Sequence, residues 1–176
     1  MSALIFVVQT LFDLYVWTFV LRMAIQWSRA DVANPLSLFV IRVTNPLVTP
    51  LRRVIPNWRG RELAPLLPMF VLELMATSIV ASIALNTLPD IGTLLYVSLI
   101  RIIVAVLRLY FFIVLIRVIV SWISPGVYNP ITSVLVSLSE PLLRPVRRII
   151  PPIAGLDLSP LVVIVLLQAA LISLGS

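Results

Sequence analysis

Cysteine, histidine and lysine are all missing from the 176 residues. The first absence excludes disulfides, thiol chemistry and thiolate metal sites. The second excludes imidazole acid–base catalysis and histidine-ligated haem. Charge of either sign is scarce: 11% of residues are charged, where soluble domains carry roughly a quarter. Seven carboxylates without histidine or cysteine form no convincing catalytic set, so the chain is expected to be no enzyme and to carry no cofactor or metal. Residues 1–3 bring no basic residue and the apolar run after them is too long for a cleavable signal, so the first segment is expected to stay as an anchor.

What is present is apolar. Sixty-one percent of residues are hydrophobic and the mean hydropathy is +1.14, which reads as an integral membrane protein. The pI near 11.1 raises nucleic acid as a partner. All 13 basic residues are arginines inside or beside apolar segments, not on a polar domain, and this argues against it. Spans are expected at residues 4–27, 65–88, 94–123 and 158–174, against a requirement of about 20 residues. Pro89, Asp90 and Gly92 mark a tight turn. The division is residues 1–88, a turn at 89–93, and residues 94–176.

Residues 45–56 read Asn-Pro-Leu-Val-Thr-Pro-Leu-Arg-Arg-Val-Ile-Pro, and residues 140–151 read Glu-Pro-Leu-Leu-Arg-Pro-Val-Arg-Arg-Ile-Ile-Pro. The offset of 95 residues also relates Leu14-Tyr15 to Leu109-Tyr110, Arg22 to Arg117, Trp27 to Trp122, and Asn34-Pro35 to Asn129-Pro130. Gly60 returns as Gly155, Pro65-Leu66 as Pro160-Leu161, and Glu62 is answered by Asp157. An ungapped match of this extent is an internal repeat. Each unit is span, interfacial helices, span. The expected fold class is an all-α membrane protein, with four transmembrane helices in two tandem parallel repeats about a pseudo-twofold along the membrane normal.

Within each repeated stretch the apolar residues fall on one narrow helical face and the arginine doublet on the other, an amphipathic helix lying in the membrane plane. Asn45 or Glu140 reads as its N-cap, Pro46 or Pro141 as its first residue, and Pro50 or Pro145 as a bend. Residues 35–43 read as a separate short helix capped by Asn34. Arg29, Arg42, Arg52, Arg53, Arg59 and Arg61 occupy the first long connection, and Arg144, Arg147 and Arg148 the second. The positive-inside rule puts both connections in the cytoplasm and both termini outside. Arg52, Arg53, Arg144, Arg147 and Arg148 are the expected contacts to anionic lipid head groups or a partner.

Asp13, Arg22, Glu73, Arg101, Arg108 and Arg117 fall inside spans, where ionisable groups face the bundle interior and pair. Asp13 and Arg108 are equivalent positions at similar depth and are expected to pair across the seam. Arg22 is expected to pair with Glu73, Gln168 replaces that carboxylate as partner of Arg117, and Arg101 snorkels. Pairing that locks the units together outweighs a pore within one chain, because four spans leave little room for one; a pathway between subunits stays open. Tyr15, Trp17, Trp27, Trp58, Tyr96, Tyr110, Trp122 and Tyr128 read mostly as interface aromatics.

Leu21-Arg22 with Trp27, Asn34-Pro35 and residues 46–56, then Arg117 with Trp122, Asn129-Pro130 and residues 141–151, resemble the YggT family of small bacterial membrane proteins. The resemblance implies an inner-membrane protein without assigned catalytic chemistry. It also implies links to osmotic stress and potassium supply, to cell-division gene neighbourhoods, and in plastids to haem attachment and nucleoid organisation. The expected function is a non-enzymatic factor for envelope or osmotic homeostasis or membrane-complex assembly, acting through lipids and another membrane protein or a homo-oligomer. The alternative is an oligomeric ion channel or transporter.

Overall fold

A computed structural model describes residues 2–58, 60–85, 87–123, 129–151 and 157–175. Arg59, Asn86, Tyr128 and Gly155, singled out from the sequence, lie outside the described residues. Among the described residues six helices follow in order: α1 (Ser2–Trp27), α2 (Pro35–Leu51), α3 (Leu66–Leu85), α4 (Ile91–Ile123), α5 (Pro130–Ile149) and α6 (Ser159–Ser173). Among the described residues there is no strand.

α1, α3 and α4 are apolar on all sides and long enough to cross a membrane. At 33 residues α4 extends ~50 Å, beyond a hydrocarbon core of ~30 Å. α6 is equally apolar but has 15 residues, ~22 Å, so the residues expected to form a fourth span make a helix shorter than the three long ones. The chain is a multi-pass membrane protein, all-helical in its regular elements among the described residues.

The helix starts are set by side chains. Asn34 accepts from the Leu36 amide at 3.0 Å with Pro35 in the first turn. Asn129 and Thr132 cap reciprocally at 2.9 and 3.0 Å. Asp90 accepts from the Thr93 amide at 2.9 Å, so α4 begins within the residues expected to form the turn. α1 ends in a Schellman arrangement: the Ala30 amide donates to Ile25 and the Arg29 amide to Gln26. Its left-handed residue is Arg29, at φ 54°, where glycine is usual. Before α3, Trp58 and Arg61 exchange backbone hydrogen bonds at 2.9 Å, and the tight return places Gly60 at φ 75°.

α2 and α5 correct the expectation of two short helices per connection. Each is one helix running through its prolines, Pro46 and Pro50 in α2 and Pro141 and Pro145 in α5. Asn45 and Glu140 are therefore interior residues and not N-caps. Their side chains face arginines of α1 and α4, leaving no reason for a new helix to start there.

α1 packs on α3 and α4 on α6, and α1–α4, α3–α4 and α2–α5 contacts join the two halves. The main core gathers Val16, Phe19, Met23, Val40, Val48, Ile102, Leu109 and Leu138; a smaller one gathers Val114, Leu143, Val163 and Leu167. Asn34 reinforces the junction by donating to the Pro130 carbonyl at 2.6 Å. Tyr15, Trp17 and Tyr110 pack against the main core, whereas Trp27, Trp58, Tyr96 and Trp122 are exposed.

Candidate functional site

Three polar clusters are built between these helices. In the first, Arg22 projects from α1 and is 4% exposed. Its Nη1 donates to Thr44 Oγ1 at 2.6 Å and Asn45 Oδ1 at 3.0 Å, both on α2, and its Nη2 to Glu62 Oε2 at 2.9 Å. Arg52, just past the end of α2, pairs with the same carboxylate. Thr44 returns its proton to the Val40 carbonyl at 2.7 Å, so its oxygen is aligned to accept from Arg22.

The second cluster is the first moved by 95 residues along the chain. Arg117 of α4 donates to Ser139 at 2.6 Å and Glu140 at 3.3 Å, both on α5. Arg147 donates to Asp157 at 2.7 Å and to Glu140 at 3.0 Å. Of the five corresponding pairs, one changes charge: neutral Asn45 is matched by Glu140. The second cluster therefore sets two arginines against two carboxylates, and the first sets two against one.

Burial works to raise the carboxyl of Glu62, but hydrogen bonds from Arg52 and Arg22 outweigh it and hold Glu62 below its ordinary range. Asp157 is also lowered: burial opposes ionisation, and hydrogen bonds from Ser159 and Arg147 prevail.

In the third cluster Arg101 of α4 donates to Asp13 Oδ1 of α1 at 2.9 Å and pairs with Glu73 of α3, which is 2% exposed. The three residues join three helices. Asp13, Glu73, Arg101 and Arg108 line a cavity of about 270 Å³. The expected pairs are thus replaced. Asp13 meets Arg101 in place of Arg108, whose side chain is exposed and has no hydrogen bond or ion pair among the described residues. Arg22 meets Glu62 in place of Glu73, and Arg117 meets Ser139 and Glu140 in place of Gln168. Sequence spacing sets depth along a helix but not which neighbour its face meets. Arg22 and Arg117 each find partners on the helix that follows their own. Glu62, Glu140 and Asp157 were missed as partners, although the return of Glu62 as Asp157 at the repeat offset was a signal for two of them.

The expected lipid contacts divide. Arg52 and Arg147 are committed to ion pairs. Arg53, Arg144 and Arg148 are exposed and unpartnered among the described residues. No group of three or more acidic, histidine or cysteine side chains suited to a metal occurs among the described residues.

A family model described as CCB3/YggT matches the chain twice, over residues 1–84 and 96–176. A protein of Vibrio alginolyticus described as "Uncharacterized protein in proC 3'region" is 41% identical over 99% of this chain and 95% of its own length. "Uncharacterized protein YggT" of Escherichia coli K12 is 36% identical over 95% of this chain and 86% of its own. No solved structure matches the chain.

Proposed function

The chain belongs to the CCB3/YggT family, and from that premise we propose that it is a non-enzymatic inner-membrane factor that binds anionic lipid and supports envelope or osmotic homeostasis or the assembly of a membrane complex. In this reading α1, α3, α4 and α6 are four spans in two parallel repeats. α2 and α5 are amphipathic helices in the cytoplasmic interface, and both termini lie outside. The observation that carries it is the division of the arginines. Arg22, Arg101, Arg117, Arg52 and Arg147 are engaged in internal ion pairs, whereas Arg53, Arg144 and Arg148 are exposed and unpartnered among the described residues. Arginines held free at a membrane surface bind lipid phosphate. The envelope and osmotic role rests on the family resemblance.

The test is lipid retention by the triple variant Arg53→Gln, Arg144→Gln, Arg148→Gln. At ~1 kcal/mol per basic residue near an anionic surface, binding to anionic vesicles should weaken by roughly a hundredfold. Unchanged binding in a folded variant refutes the assignment.

A second reading is favoured by the cavity beside Asp13, Glu73, Arg101 and Arg108: an ion pathway completed between subunits. Flux through purified protein in liposomes, altered by Arg108→Gln, supports it; no flux from the wild type removes it.

A further inference from the structure

Beside the first cluster is a cavity of about 290 Å³ lined by Arg22, Arg29, Arg52, Gln26 and Glu62, with Ile25, Ala30, Val32 and Ile41 as its apolar wall. Three arginines and one carboxylate line it, an excess of two positive charges. Glu62 is already engaged by both Arg22 and Arg52. The Arg29 side chain has no hydrogen bond or ion pair among the described residues. Arg29 is the left-handed residue, at φ 54°, that closes α1 at the edge of the cavity.

The second unit shows what the first lacks. Glu140 accepts from Arg117 and from Arg147, so the chain itself supplies an anion between the two guanidiniums. Asn45 stands at that place in the first unit. It accepts from Arg22 at 3.0 Å but brings no charge. The residue 95 positions beyond Arg29 is Ser124, so the second unit also carries one cation fewer.

The geometry points to a phosphate-binding site in the cavity of the first unit, in which a phosphate group from outside the chain supplies the negative charge that Glu140 supplies to the arginines of the second. Arg29 and the outward edge of Arg52, which is 47% exposed, supply the donors, with Arg22 behind them as fixed positive charge. The apolar wall fits an acyl or glycerol portion beside the phosphate. This deepens the proposed lipid binding and rests on that reading for its location at a membrane surface.

The experiment titrates the purified protein, in uncharged detergent, with inorganic phosphate and with a soluble short-chain phosphatidylglycerol, following heat of binding. The wild type should bind at one site. Binding of the lipid alone, or of both probes, assigns the site to a head group; binding of phosphate alone assigns it to the free ion. Asn45→Glu, which installs the carboxylate of the second unit, should weaken binding about tenfold or more while keeping the thermal midpoint at or above wild type. Arg29→Gln, outside the buried network, should weaken it similarly and covers the case in which the first variant does not fold. The variant lacking Arg53, Arg144 and Arg148 should titrate as wild type. Loss of binding there, with Asn45→Glu unaffected, overturns the site and leaves the surface-contact reading standing. Binding lost in Asn45→Glu, with vesicle retention unchanged in the triple variant, does the reverse. If the wild type binds neither probe, the site does not exist.

Discussion

Arg101 holds two carboxylates from two other helices, and its removal takes the ion-pair partner from both. Breaking a buried pair from one side costs ~3–5 kcal/mol. Arg101→Gln should therefore sharply lower thermal stability in detergent, whereas Arg108→Gln, which removes no ion pair, should change it by less than ~0.5 kcal/mol. Equal losses in the two variants would restore the Asp13–Arg108 pair read from the repeat. Glu62 gives a pH signature. Its folded value lies below the ordinary 4.5, so the stability it contributes is complete above 4.5 and is lost as pH falls through the lower folded value. Glu62→Gln should flatten the unfolding profile below pH 4.5 and lower stability above it. Which residues are charged inside the spans was legible in the sequence. Their partners were not, since Arg22, Asp13 and Arg117 each met a group on a helix face that depth along the chain does not reveal.

Helix α2 poses a question of continuity. Sequence reasoning started a new helix at Asn45-Pro46, a favourable cap and first-turn pair, yet α2 runs from Pro35 through Pro46 to Leu51. A proline inside a helix removes one backbone bond and costs ~3 kcal/mol, while at the first position it is favourable. Pro46→Ala should thus raise the thermal midpoint if the helix is continuous; a fall would support two helices. The reason for the miss is tertiary: Thr44 and Asn45 are turned toward Arg22, and that contact outweighs local capping preference. The long spans were legible to within a few residues, because all-round hydrophobicity over 20 residues or more has no soluble alternative. At 15 residues α6 sits at the edge of that rule.

For the whole molecule, the double match at residues 1–84 and 96–176 agrees with the repeat seen as identities at one fixed offset, and the two arginine clusters are built from corresponding residues. That regularity made the helical membrane architecture readable, while the break at Asn45 and Glu140 gained meaning only once both were seen against arginine. The central claim is that the two units share one orientation, with α2 and α5 at the cytoplasmic face. The absence of cysteine permits a direct measurement. Arg53→Cys and Arg148→Cys are expressed separately, and labelling by a membrane-impermeant thiol reagent is compared in spheroplasts and in inverted vesicles. The account predicts that both positions are protected in spheroplasts and labelled in inverted vesicles. Labelling of the two from opposite sides would make the units inverted, and labelling of both in spheroplasts would place the basic helices outside; either result contradicts it.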